Sequence, residues 1–228
     1  MSLLKKIPIT YIGELHQVRL VNFWVDYDEV LPMVPRGIKV RSFGGKALIS
    51  LVNVELKKMH PSFFPGAFNF GYRHVAFRLL VEDAQLNNGA SKGIYFLRSF
   101  TDRADIVAGG NLLTDYRLEK AEIRNLDRMM ELQQGDRYFN YALDLSGVPF
   151  ADTEQKKIIG ALDRAYSIED DRLKMVKIMR EKWPIRQVQC YLAETNFFKS
   201  ARPASAFVVD EIIYYRWTAA KILGPCEL

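Results

Sequence analysis

Apolar and polar residues alternate along much of this chain, and alternation with a period of two is typical of β-strands with one buried face. The pattern predicts strands at 16–24, 38–43, 46–58, 72–81, 94–100, 116–123, 138–145, 188–198 and 206–217. Gly44 and Gly45 separate two of these strands and favour a two-residue hairpin turn. Gly109 and Gly110 indicate a break before the strand at 116–123. Consecutive strands with short connections predict a mainly antiparallel sheet.

The strand at 46–58 is apolar on both faces over its first half. Leu48 and Val52 alternate with Ile49 and Leu51, so the two pairs of side chains point to opposite sides. A strand that is buried on both faces needs a layer over each of them. We therefore expect a closed barrel with a filled interior, covered on the outside by helices or by a partner subunit.

Helical spacing occurs in two parts of the chain. Asp26 can cap a short helix that follows the strand at 16–24. Over 153–182, apolar residues recur three and four positions apart, which predicts helix. We expect Asp170-Asp171 to divide this region into two helices, the second of which ends before Pro184. The predicted fold class is thus α+β and mainly antiparallel β, a closed barrel or cone with flanking helices.

Length and composition indicate one folded domain. The chain has 228 residues, of which 49% are hydrophobic and 12% aromatic, and no linker or repeat divides it. We expect a single domain over residues 1–228. The net charge of +5 comes from 32 basic residues interleaved with 27 acidic ones. Dispersed charge of this kind indicates a solvated surface, so we predict no nucleic-acid partner.

Cysteine and histidine usage gives no sign of a metal or cofactor. Cys190 and Cys226 cannot form a disulfide framework, and the three histidines lack metal-ligand spacing. The Gly109-Gly110 pair is not a dinucleotide-binding loop. No apolar run approaches the ~18 residues needed to cross a bilayer. We predict a cytoplasmic protein with no metal, no cofactor and no membrane partner.

Three segments carry a resemblance to a known family. They are LVNFWVDYDEVLPMVPRGIKVRSFGGKALISLV at 20–52, GIYFLRSFTDRADIVAGGNLLTDYRLEKAEI at 93–123 and, more weakly, KWPI at 182–185. Together they resemble the acetoacetate decarboxylase-like superfamily and, within it, the uncharacterised branch called DUF2071. The resemblance implies the closed barrel or cone of that superfamily. It also implies a homo-oligomer, because members of the superfamily assemble in this way.

The resemblance also bears on the family's reactive lysine. In the decarboxylases, the first lysine of a Tyr-Pro-Lys-Lys segment forms a Schiff base with the keto acid. An ungapped comparison places Tyr116 at the tyrosine, Leu118 at the reactive lysine and Glu119 at the second lysine. Leucine cannot form an imine, so the resemblance implies that this chemistry is missing at position 118. Lys120 either brings its amine into the pocket or is a solvated lysine at the end of a strand.

Three further polar residues occur on strands that are otherwise apolar. The same comparison places His74 where the decarboxylases carry a pocket glutamate. In that position, His74 can serve as an acid, a base or an anion binder, or it simply forms a hydrogen bond. Arg78 shares the strand face of His74. Arg98 shares the predicted face of Phe96, where it pairs with Glu55, Asp102 or Glu119, extends to the rim of the barrel or binds an anionic ligand. If both arginines line one cavity, the ligand carries a carboxylate or phosphate group.

These observations leave three hypotheses for the function. In the leading one, the barrel binds a small anionic organic molecule, and the ligand-contacting candidates are His74, Arg78, Arg98, Tyr116 and Leu118. The first alternative is a lyase related to keto-acid decarboxylation that uses Lys120, with His74 as a second catalytic candidate. The second alternative is an oligomeric interaction protein. The loop at 60–70, which contains four phenylalanines, would be its contact surface or, in the other hypotheses, a lid over the barrel.

Overall fold

Strands dominate the structure of this chain, as the alternation predicted. The computed structural model describes residues 8–64, 69–113, 117–146 and 154–225. Within them, the strands are β1 (Tyr11–Asp26), β2 (Lys46–Pro61), β3 (Phe70–Leu80), β4 (Gly93–Thr101), β5 (Glu119–Lys120), β6 (Glu122–Leu126), β7 (Met129–Gln134), β8 (Arg137–Asp144), β9 (Arg164–Glu169), β10 (Arg172–Arg180), β11 (Arg186–Thr195), β12 (Arg202–Val209), β13 (Ile213–Trp217) and β14 (Lys221–Pro225). The helices are α1 (Tyr27–Val30), α2 (Ala104–Leu113) and α3 (Glu154–Ala161).

Seven strands close a barrel, which confirms the predicted fold class. Their order is β1, β2, β3, β4, β9, β10 and β13, and β13 pairs back onto the first half of β1. All neighbours are antiparallel except β4 and β9, which run parallel with Ile94 opposite Ala165. Each of the seven strands contributes apolar side chains to one interior cluster, and Ile159 of α3 packs into it. The barrel interior is therefore lined mainly by apolar side chains.

A second sheet covers the outside of part of the barrel. It begins where the second half of β1 pairs with β12, and it continues through β11, β8, β7 and β6. A separate apolar cluster fills the space between the two sheets. Phe77 of β3 meets Phe139 of β8 there, edge to face, with ring centroids 5.8 Å apart. Burying such rings is the main force that holds the sheets together, since truncating one typically costs about 3–5 kcal/mol.

β2 is buried on both faces, as expected. Leu48 and Val52 lie inside the barrel, whereas Ile49 and Leu51 contact the second sheet. The expected cover of helices or a partner subunit is wrong for this strand, because the chain supplies the outer layer as strands of its own.

The turn at Gly44-Gly45 is confirmed, but the strand predicted before it is wrong. Both glycines have positive φ, 61° and 81°, as a two-residue hairpin turn requires. The residues at 38–43 pair only through isolated bridges at Val40 and Phe43. β2 already has β1 on one side and β3 on the other, so 38–43 finds no free strand edge.

The two helices predicted over 153–182 are only half correct. α3 forms over the beginning of the first predicted helix. The rest of that helix is instead β9 and the second predicted helix is β10, and the two strands pair as a hairpin. Asp170 and Asp171, expected to break a helix, have φ of 49° and 56° and form the hairpin turn. β9 pairs with β4, and β10 pairs with β13, so this hairpin closes the barrel. Pairing with exposed strand edges outweighs the local helical spacing.

The segment after β4 also differs from the prediction. Gly109 and Gly110 lie inside α2 and do not break the chain. A Cβ on Gly110 would lie 3.0 Å from Cδ1 of Leu118, so glycine permits the helix to approach this side chain closely. The strand predicted at 116–123 is divided between β5 and β6, and the one predicted at 206–217 between β12 and β13.

Part of the phenylalanine-rich loop at 60–70 is described. Phe63 and Phe64 are 57% and 52% exposed, and their rings meet 5.3 Å apart. The middle of the loop, 65–68, lies outside the described residues, so its role as a lid stays a prediction.

Of the helices in the described ranges, none has the length and apolar character to cross a membrane.

Candidate functional site

A row of polar side chains crosses the otherwise apolar interior face of the barrel. β3 places His74 and Arg78 on this face, because Ala76 between them belongs to the interior cluster. On β2, Ser50 lies directly opposite Arg78. On β1, Asn22 lies directly opposite Ser50. All four residues are buried, so they form a polar site within the apolar core.

Arg78 hydrogen-bonds to two neutral acceptors of Ser50. It is only 7% exposed, and its Nη2 donates to Oγ of Ser50 at 2.7 Å. Its Nε donates to the backbone carbonyl of Ser50 at 3.3 Å. These two bonds orient the guanidinium, and arginine retains its charge even when it is buried.

His74 is a neutral imidazole in this setting. Removal from water, and secondarily the charge of Arg78, lowers the pKa of His74 to about 3. At physiological pH the ring therefore has one nitrogen that donates and one that accepts. Among the roles expected for His74, those that need an imidazolium are disfavoured, and hydrogen bonding or proton acceptance remains.

Aromatic side chains surround His74. Its ring centroid lies 6.1 Å from that of Tyr72 and 6.3 Å from that of Phe96, which in turn lies 5.9 Å from Trp217. Burial raises the pKa of Tyr72 and Tyr215, so both keep their hydroxyl protons. Sequence reasoning missed Phe96, Trp217 and Tyr215 as part of this wall. Only the pairing of β13 with β1 brings the last two to the site.

Arg98 lies on the opposite side of the sheet. Phe96 pairs with Arg78 and Arg98 pairs with Phe77, so Leu97 forms a bulge between them. This bulge turns Phe96 into the barrel and Arg98 toward the second sheet. The expectation that Arg98 shares a face with Phe96 is therefore wrong, and the two arginines do not line one cavity.

The partners of Arg98 lie between the sheets. Its Nε donates to Oε1 of Glu119 at 2.9 Å, and its Nη2 donates to Oε1 of Gln134 at 2.5 Å. The guanidinium also lies over the rings of Phe100 and Phe197, 5.1 and 5.3 Å from their centroids. The hydrogen bond from Arg98, and to a smaller extent the charge of Arg98, lowers the pKa of the half-buried Glu119 carboxyl. The structure thus shows the carboxylate pairing that the sequence offered as one alternative for this arginine.

Leu118 borders the barrel beside α2. It is buried and immediately precedes β5, whose Glu119 pairs in parallel with Phe100. Because Glu119 faces the second sheet, alternation directs its neighbours Leu118 and Lys120 to the barrel side. Lys120 is exposed at the end of that short strand. Tyr116 lies outside the described residues.

The chemistry available elsewhere is limited. In the ranges that the structure describes, no three His, Cys, Asp or Glu residues are arranged to hold a metal ion. Burial raises the pKa of Cys190 to about 11, and its thiol lies 2.9 Å from the carbonyl oxygen of Leu192. This cysteine is a core thiol and not an activated nucleophile. Cys226 lies outside the described residues.

Solved structures with the same fold come from the acetoacetate decarboxylase-like proteins. An acetoacetate decarboxylase-like enzyme from Sphingomonas wittichii RW1 superposes with a TM-score of 0.64 at 11% identity, covering 96% of this chain and 94% of that one. Acetoacetate decarboxylase from Legionella pneumophila gives 0.61 at 10% identity, covering 96% and 88%. The enduracididine biosynthesis enzyme MppR complexed with pyruvate gives 0.57 at 13% identity, covering 96% and 91%. At these identities the similarity establishes the fold.

Sequence comparison establishes the family. No curated protein matches this chain significantly. The family model DUF2071, described as an uncharacterized conserved protein, matches residues 13–215, which is most of the chain. The chain belongs to the DUF2071 family, and its barrel has the acetoacetate decarboxylase-like fold.

Proposed function

We propose that the barrel binds a small anionic organic molecule beside Arg78 and His74 and that any chemistry there proceeds without an imine. The observation that carries the proposal is that a buried arginine and a histidine kept neutral share the barrel's interior face. A positive charge in a low-dielectric interior favours an anion at this position. The neutral imidazole adds a directional hydrogen bond.

The surroundings support a particular class of ligand. Tyr72, Phe96 and Trp217 offer an apolar wall around His74, and Phe96 lies directly opposite Arg78 on the neighbouring strand. A molecule with one carboxylate and a short carbon skeleton matches both parts of the site. MppR, which shares the fold, forms a complex with pyruvate, a molecule of this class.

The proposed absence of imine chemistry rests on the residue at position 118. In the ungapped comparison, Leu118 aligns with the reactive lysine of the Tyr-Pro-Lys-Lys pattern, and its hydrocarbon side chain cannot condense with a carbonyl group. The lyase alternative needs the amine of Lys120 inside the barrel, and the exposure of this residue argues against it.

Binding is tested by thermal shift and calorimetry with pyruvate and acetoacetate, against the neutral analogue pyruvamide. We expect the carboxylates to bind and the amide to bind much less. Arg78→Gln should weaken carboxylate binding about 10- to 100-fold, because a charge-assisted hydrogen bond is lost. Arg98→Gln is the matched control, a half-buried arginine on the other face of the same sheet. Equal affinity in wild type and Arg78→Gln would reject the proposal.

The imine is tested by borohydride reduction in the presence of the same keto acids, followed by mass spectrometry. We expect no added mass. A reduced adduct on Lys120 would instead establish the lyase alternative.

One observation favours a second candidate function, an oligomeric interaction protein. Phe63 and Phe64 expose more than half of their surface side by side, and neighbouring exposed rings are typical of protein contacts. The double variant Phe63→Ser/Phe64→Ser should then lower the mass measured by light scattering after size exclusion. An unchanged mass would remove this candidate.

A further inference from the structure

A second pair of arginines, one buried and one partly buried, lies outside the barrel at an edge of the space between the two sheets. Arg19 on β1 lies directly opposite Asn53 on β2, and Arg73 on β3 reaches the same asparagine. Nη1 of Arg73 donates to Oδ1 of Asn53 at 3.2 Å, and Nη2 donates to Oε1 of Gln17 at 3.0 Å. We call Arg19 and Arg73 the outer arginine pair.

A bulge in β1 directs Arg19 to this edge. The register with β2 shifts between His16 and Arg19, and Gln17 adopts a φ of 49°, which is strained for a residue other than glycine. The shift places Val18 inside the barrel and Arg19 on the outer face. Regular alternation from His16 would exchange these two positions. The strain is thus associated with an arginine placed under the second sheet.

Arg19 retains an unused donor in this position. The residue is only 7% exposed, and its Nε is buried with no hydrogen-bond partner. Its Nη1 donates to the carbonyl of Val18 at 3.1 Å and to Asp210 at 3.3 Å. An unsatisfied buried donor on a charged group is rare and unfavourable, which points to a partner that completes the site.

The nearby carboxylates do not balance the positive charge of the outer arginine pair. Asp210 is shared between Arg19 and Arg186, at 3.3 and 2.8 Å. Glu55 is shared between Arg73 at 3.8 Å and Lys57 at 3.2 Å. Two carboxylates therefore lie close to four cationic side chains, which leaves an excess of positive charge. Asp102 adds only a weaker attraction to Arg73.

Two neutral donors complete the group. Nδ2 of Asn53 donates to the hydroxyl oxygen of Tyr141 and to Oδ1 of Asn125, both at 2.7 Å. Burial raises the pKa of Tyr141 to about 12, so its hydroxyl keeps a proton that it can donate further. The amide nitrogen of Asn125, next to the same edge, is a second donor.

From this geometry we propose that the outer arginine pair, with Tyr141 and Asn125, binds a small oxyanion, a carboxylate or phosphate group, at the edge between the sheets. The oxyanion would accept from Nε of Arg19 and supply the negative charge that Asp210 and Glu55 do not. This site is separate from the barrel interior, since the β1–β3 sheet lies between them.

The test is a calorimetric titration of the full chain with inorganic phosphate and, in a separate arm, with malonate. We expect Arg19→Gln and Arg73→Gln each to weaken binding about 10- to 100-fold, as loss of a charge-assisted contact predicts. Arg172→Gln, at an exposed arginine on β10, should leave it unchanged. The same titrations in the Arg78→Gln background, where anion binding inside the barrel is weakened, should still show the losses caused by Arg19→Gln and Arg73→Gln, which separates this site from the barrel. A response to phosphate alone or to malonate alone supports the site and identifies its preferred group.

If a variant does not fold, nuclear magnetic resonance of the arginine side chains in the wild-type chain tests the same proposal. The Nε–H signal of Arg19, assigned by its loss in Arg19→Lys, should shift as either anion is added to the wild-type chain. An Arg19 signal that stays constant, or anion binding that Arg19→Gln and Arg73→Gln leave intact, would overturn the proposal.

Discussion

Replacing His74 with glutamine should remove an acid-sensitive part of the protein's stability. Burial and the charge of Arg78 hold the pKa of His74 at about 3, against 6.5 in an unfolded chain. The unfolded chain therefore binds one more proton than the folded chain between these two values. Stability from this residue is complete above pH 6.5 and falls as the pH decreases through that window.

The magnitude follows from the width of the window. About 1.5 pH units separate the unfolded-state pKa from pH 5, and each unit corresponds to about 1.4 kcal/mol. The free energy of unfolding should thus fall by about 2 kcal/mol between pH 7 and pH 5 because of this one residue. Carboxylates with a lowered pKa, such as Glu14 and Glu29, lose their contribution only at lower pH.

Urea unfolding followed by tryptophan fluorescence, at half-unit steps from pH 7 to pH 5, measures this contribution. The difference in unfolding free energy between wild type and His74→Gln should change by about 2 kcal/mol over that range. His60→Gln, at a partly exposed histidine, is the control for general effects of removing an imidazole. Parallel curves for wild type and His74→Gln would refute the view that this ring is buried and neutral.

Three further predictions concern the fold. Gly93→Ala should lower the unfolding free energy by about 1–3 kcal/mol, because the new Cβ would lie 2.3 Å from a tyrosine ring on β9; an unchanged thermal midpoint would contradict that close approach. Changing Asp170-Asp171 to Asn-Gly should raise stability by about 1 kcal/mol, because both positions have positive φ, and a decrease would contradict the hairpin. A double-mutant cycle of Arg98→Gln and Glu119→Gln should give a coupling of about 1 kcal/mol, and no coupling would contradict their pairing.

Most strands could be predicted because their alternation reflects burial on one side of a sheet. β2 is the clearest case, since its two apolar faces indicated a layer on each side. The same reasoning failed for two segments: 38–43 was predicted as a strand, and the second half of 153–182 was predicted as a helix. Both depend on which strand edges remain free once the barrel closes, and a local pattern carries no information about this.

The candidate site shows the same division. His74 and Arg78 could be placed on one face by counting along β3, because that strand is regular between them. The same counting misplaced Arg98, since the bulge at Leu97 inverts the alternation of β4. The bulge at Gln17 likewise decides the face of Arg19.

By itself, the amino-acid sequence determined the mainly β character, the family resemblance and the presence of leucine at position 118, because each depends on residue identity and short-range order. Tertiary structure alone decided which side chains meet. Closure of β13 onto β1 brings Trp217 to the wall around His74, and two bulges send arginines out of the barrel. The physical reason is that a shift of one residue in a strand moves every later side chain to the other face, and only pairing with neighbouring strands fixes that shift.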